Sequence, residues 1–98
     1  MPRVLFLPAA RADLADALAW YGTHAPQMVP QFRAALGAVV RRMEENPRQF
    51  RRASHNTRHA LMRRFPYVVI FRDEPEAAYV IAIFHASRAP RSWQGRLP

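Results

Sequence analysis

The chain has no cysteine, no lysine and only three glycines, and each absence closes a route. Without cysteine there is no disulfide framework, no thiolate metal site and no thiol nucleophile, and the chain suits a reducing compartment such as the cytoplasm. Gly22, Gly37 and Gly95 lie too far apart to build a phosphate-cradling glycine loop. Acidic residues are scarce too. Seven stand against fifteen arginines, so the formal net charge is +8 and an acidic partner, nucleic acid or protein, is expected. Long apolar runs are also missing: the longest, at residues 77–84, falls well short of the roughly 20 residues of a membrane helix. The run at 4–7 is shorter than the about 7 to 15 residues of a secretion-signal core. His24, His55 and His59 show no metal-ligand spacing, so neither a metal nor a cofactor is expected.

What is present is enough for a core. Half of the 98 residues are hydrophobic, and a chain of this length is expected to form one domain over residues 1–98 with a single modest core. Residues 4–7 are apolar, β-branched and aromatic, and Pro8 ends them as a first strand. A helix is predicted over 9–21, where Ala10, Leu14, Ala17, Leu18 and Tyr21 recur at helical spacing, with a break at 22–26. A second helix begins between Pro26 and Pro30 and runs to Glu45, with Val29, Phe32, Leu36, Val39, Val40 and Met43 on one face and Asn46-Pro47 as its stop. So short a connection makes the two an antiparallel hairpin.

Residues 48–57 are polar and Arg-rich without a period, and read as an exposed connector. Strands are predicted at 59–65, 67–72 and 77–86, separated by Pro66 and by the turn Asp73-Glu74-Pro75-Glu76, and such short links force antiparallel neighbours. Strict alternation in the last strand sets Tyr79, Ile81, Ile83 and His85 on one face and Val80, Ala82, Phe84 and Ala86 on the other. A strand apolar on both faces is expected to be central, covered by helices on one side and by a partner or the tail on the other. The expected fold is therefore α+β: an N-terminal strand, a two-helix hairpin, then a three-stranded antiparallel meander in one sheet. A basic tail at 87–98 carries Trp93.

This order resembles the RelE/ParE toxin superfamily of type II toxin-antitoxin systems across nearly the whole chain. Leu14 through Tyr21 is similar to that family's first helix, Glu44-Glu45-Asn46-Pro47-Arg48 to its second-helix ending, and Phe65-Pro66-Tyr67-Val68-Val69-Ile70-Phe71-Arg72 to its third strand. The ending Ile83-Phe84-His85-Ala86-Ser87-Arg88-Ala89-Pro90, with Trp93 beyond it, is similar to the ParE branch in particular. The resemblance implies a toxin held in check by an acidic, amphipathic antitoxin, with DNA gyrase as the target in the ParE branch. In the RelE branch it implies metal-independent cutting of messenger RNA on the ribosome. A third reading is a non-toxic basic binding module.

Matched to the RelE nucleases, the second-strand basic positions fall on Arg58 and on Ala60, and the third-strand arginine falls on Tyr67. Only Arg88 is kept cleanly, and the tail tyrosine is missing. Cutting RNA through its 2′-hydroxyl needs a base, an acid and cations around the phosphate. His85 is the one plausible proton shuttle, with Arg64, Arg72 and Arg88 as candidate cations. Two proton-transfer roles and one candidate favour the ParE branch, acting by binding. The candidate target- or antitoxin-binding residues are then Arg58, Arg72, His85, Arg88, Arg91 and Trp93.

Overall fold

A computed structural model describes residues 3–87 together with Trp93, Gly95 and Arg96. Strand β1 (Val4–Phe6) leads into helix α1 (Pro8–His24), and a 3-10 turn at Pro26–Met28 leads into helix α2 (Val29–Glu45). Strands β2 (Arg51–Ala53), β3 (Thr57–Leu61), β4 (Tyr67–Asp73) and β5 (Ala78–His85) follow. They form one sheet in the order β1-β5-β4-β3-β2, antiparallel except where β1 runs parallel to β5. The expected α+β architecture is thus present; the last strand lies inside the sheet between β1 and β4, and the middle strand is β4.

The helical hairpin covers one face of this sheet. Ala10 and Ala17 of α1 and Phe32, Leu36, Val39 and Met43 of α2 are buried against Ala60, Val69, Phe71, Val80 and Ile83. At one end an aromatic cluster closes the hairpin on the sheet: Phe32 stands edge-on to Phe65 and Tyr67, with ring centroids 5.1 and 5.2 Å away, and Tyr21 stands edge-on to Phe65. Such pairs add about 0.5 to 1.5 kcal/mol each beyond area burial.

Four details depart from the sequence expectation. First, α1 does not stop at Gly22 but continues to His24, because Gly22 is exposed and an exposed glycine only weakens a helix; Pro26 and the Ala25 N–H bond to Tyr21 O end it. Second, the Arg-rich stretch at 48–57 is not a plain connector. Phe50 is buried edge-on to Phe71, and Arg51–Ala53 pairs with Thr57–His59 as an edge strand whose exposed arginines hide any alternation. Third, β3 spans Thr57–Leu61 rather than 59–65, since the chain turns at Arg64, whose φ of 71° is left-handed, while Met62 N donates to Tyr67 O. Fourth, the alternation of β5 slips. Ile70 pairs with Ala82 but Phe71 with Val80, so Ile81 is an inserted residue and Ile83 joins Val80 on the helix side.

The second face of the sheet carries Val68, Ile70, Ile81, Ala82 and Phe84, the apolar surface expected to be left for a partner or the tail. Trp93 covers it, lying on these residues and 1% exposed.

Candidate functional site

Because β1 ends at Phe6, it pairs only with Ala78, Tyr79 and Val80, and the remainder of β5 presents its outer edge toward α1. There the Asp13 carboxylate accepts a hydrogen bond from Ile83 N at 3.0 Å, and the Arg96 guanidinium donates to Ile81 O at 3.0 Å. Arg96 also grips Asp13 in a two-pronged ion pair at 2.6 and 3.0 Å, which holds the arginine's pKa above its ordinary value. A carboxylate on the helix and a guanidinium on the tail thereby do for β5 what a longer β1 would have done. Asp13 stands three residues after buried Ala10 and four before buried Ala17, so its place on the inward stripe of α1 was the available sign of this role. Its partner lies 83 residues away and has no local mark.

Below that pair runs an open groove of about 580 Å³ between α1 and β5, walled by Asp16, Trp20, Tyr67, Phe84 and His85. Trp20 is 50% exposed and stacks on the ring of His24, 4.3 Å between centroids, while His24 bonds through Nδ1 to Trp20 O. His85 sits at the groove's end, its ring edge-on to Tyr67. Its Nδ1 accepts from Ser87 N at 3.2 Å and lies 2.7 Å from the Ser87 hydroxyl, so that nitrogen is engaged in the turn that follows the strand.

The other candidate residues lie apart from this groove. Arg72 is opposite Tyr79 and His85 is opposite Tyr67, which sets the two about 17 Å apart along β4. Arg72 donates to His55 O at 3.3 Å, and its Nε is buried without a partner. Arg64 is exposed in the β3–β4 turn, at the His85 end. Arg58 points to the helix side, where its Nη1 donates to Phe50 O at 2.9 Å and Arg48 O at 3.4 Å. Arg88 and Arg91 lie outside the described residues.

Trp93 joins the two regions of the tail face. Its ring meets those of His55 and His59 edge-on, at 6.1 and 5.9 Å between centroids. His59 is paired with Arg51 across β2–β3, its Nε2 is buried without a partner, and burial first, then the Arg51 charge, lower its pKa below the ordinary 6.5. The unfolded chain therefore takes up a proton before the folded one. The stability His59 permits is full above about pH 6.5 and falls as pH drops toward the folded value. Thermal melts between pH 7.5 and 5.5 are expected to show a fall in Tm that is shallower in His59→Gln; an unchanged slope in the variant would assign the fall to other groups.

Three comparisons bear on the family and the fold. The family model "ParE toxin of type II toxin-antitoxin system, parDE" matches residues 4–90. Toxin ParE2 of Mycobacterium tuberculosis, found in two strains, is 27% identical over 86 residues, covering 87% of this chain and 82% of the relative. A solved structure described as the chromosomal ParDE TA system from P. aeruginosa superposes with a TM-score of 0.77 at 19% identity, covering 89% of this chain and 98% of that one, which establishes the shared fold. The chain belongs to the ParE toxin family of type II toxin-antitoxin systems.

Proposed function

We propose that this toxin inhibits DNA gyrase by binding rather than by cutting nucleic acid, and that a cognate acidic antitoxin neutralises it in the cytoplasm. The observation that favours binding over cleavage is the separation of His85 from Arg72, with Tyr67 where the RelE nucleases place an arginine. A phosphodiester cleavage site needs a base, an acid and cations within hydrogen-bond reach of one phosphate; about 17 Å keeps Arg72 away from a phosphate at His85 and leaves exposed Arg64 as the one candidate cation at that end among the described residues. Arg58, Arg72, His85, Arg88, Arg91 and Trp93 remain the proposed target- or antitoxin-facing set, of which Trp93 acts by fixing the tail.

An antitoxin is supported by the family itself and by the ParDE system to which the fold is related. The groove beside α1 suits its apolar side chains, because exposed Trp20 with Tyr67 and Phe84 offers an aromatic surface, while the net charge of +8, carried mainly by arginines outside the groove, favours an acidic chain overall. The chain expressed alone is expected to arrest growth and relax a reporter plasmid. Co-expression of any small acidic protein encoded beside it should restore both. Growth arrest with fully supercoiled plasmid would point to another target, and arrest unrelieved by the neighbour would remove the antitoxin assignment.

A further inference from the structure

Arginine is distributed unevenly in this protein, and so is its neutralisation. Among the described residues the only ion pair is Arg96–Asp13. Arg41, Arg42, Arg48, Arg51, Arg52 and Arg58 gather from the end of α2 to β3 with no carboxylate of the described residues within salt-bridge distance. Several of them are held in place. Arg42 lies over the Phe50 ring at 4.9 Å, and Arg58 is fixed by its Nη1, which donates to the carbonyl oxygens of Phe50 and Arg48. A guanidinium anchored through one nitrogen keeps its remaining N–H groups aimed in a fixed direction, so little rotamer entropy is lost when an oxyanion arrives.

The geometry points to a phosphate-binding site here. Arg48, Arg52 and Arg58 share an open depression of about 410 Å³ with Asn56, Thr57 and Asp73. Three guanidiniums face one carboxylate, which pairs with none of them, so this depression is net positive on the Arg52 and Arg58 side, while Arg48 and Asp73 border a second depression lined by Glu45, Glu74 and Glu76. Asn56 holds a left-handed φ of 57°, which brings it to the rim, and Thr57 is buried with its hydroxyl donating to Ser54 O. The chemistry that fits is a phosphodiester backbone rather than carboxylates on a protein. A protein interface has an apolar or aromatic centre, and this lining has none: the large exposed apolar side chains Leu7, Trp20 and Leu61 are all elsewhere. Nucleic-acid backbones are bound by such polar, positive surfaces without an apolar centre. The toxin thus carries a nucleic-acid contact on its β2 edge, remote from the α1 groove and from His85. This does not depend on gyrase being the target, since it is read on free nucleic acid.

Fluorescence anisotropy tests it with the full chain and four probes: a labelled 16-base-pair DNA duplex, single-stranded DNA and single-stranded RNA of the same length, and a labelled polyglutamate of matched charge. Binding to at least one nucleic acid is expected, tighter than to polyglutamate, and the preferred probe identifies the source of the phosphate. The double variant Arg48→Gln/Arg52→Gln, exposed at both sites, should lose about 10- to 100-fold in affinity at ~100 mM salt and flatten the log K against log[salt] slope by about 1.5 to 2. The control double Arg11→Gln/Arg33→Gln removes the same charge from exposed helix positions outside the pocket and should lose less than about 3-fold. Equal losses in the two doubles, no binding at low salt, or polyglutamate bound as tightly as nucleic acid would each overturn the proposal. Melting curves of both doubles confirm that each is folded.

Discussion

Replacing Trp93 by alanine is expected to lower stability by about 3 to 5 kcal/mol, the usual cost of truncating a buried aromatic side chain. Trp93 is among the largest fully buried side chains and covers Val68, Ile70, Ile81 and Ala82 on a face that the helices do not reach. Its removal returns that apolar surface to water and loosens the tail whose Arg96 clasps Asp13. For a domain of this size the change corresponds to a fall in Tm of roughly 15 to 30 °C, a large share of the 5 to 15 kcal/mol that such domains possess. Trp20→Ala is the natural comparison, because Trp20 is half exposed and its loss should cost about 1 kcal/mol or less. In a Trp20→Phe background, fluorescence reports on Trp93 alone and should shift to the red in the same urea range as the loss of helix. A Trp93→Ala variant melting within a few degrees of the parent would mean that the tail does not cap the sheet.

The same residue shows what the sequence could and could not reveal. Unbroken apolar runs from 67 onward announce a sheet with two apolar faces, and two helices of sufficient length announce what covers one of them. That something else must cover the other follows at once; that it is a single tryptophan of the tail does not, because no spacing rule links residue 93 to residue 70. The inserted Ile81 was hidden for a different reason. In a run where every residue is apolar, an extra one leaves the pattern unchanged, and only pairing with β4 exposes it. β2 was hidden by its charges, since an edge strand with both sides in water needs no alternation. Of the site, His85 and the arginines were legible as residue types, but their division between two ends of the sheet depends on register. Asp13 and Arg96 meet across almost the whole chain.

That division matters most for mechanism. A toxin that acts by binding can spread its contacts over a surface, and losing one contact weakens affinity by the worth of one charge-assisted hydrogen bond, about 1.5 to 3 kcal/mol. A nuclease concentrates its effect at the proton-transfer group, and His85→Gln would then lower the rate by something like 10²- to 10⁴-fold with binding almost unchanged. The two behaviours separate at His85, whose Nδ1 is engaged by neighbouring Ser87 and not by a charged group: a toxin acting by binding should lose little in His85→Gln, and its larger losses should fall on the arginines.

Gyrase supercoiling titrated with the purified toxin and with its His85→Gln variant, alongside ribosome-bound messenger RNA exposed to the same preparations, reads that difference directly. Binding predicts that both proteins stop supercoiling at concentrations within about 3-fold of each other, since no proton has to move, and that the messenger RNA stays intact. Supercoiling left untouched, with codon-specific cuts in the messenger RNA that vanish in His85→Gln, would contradict it.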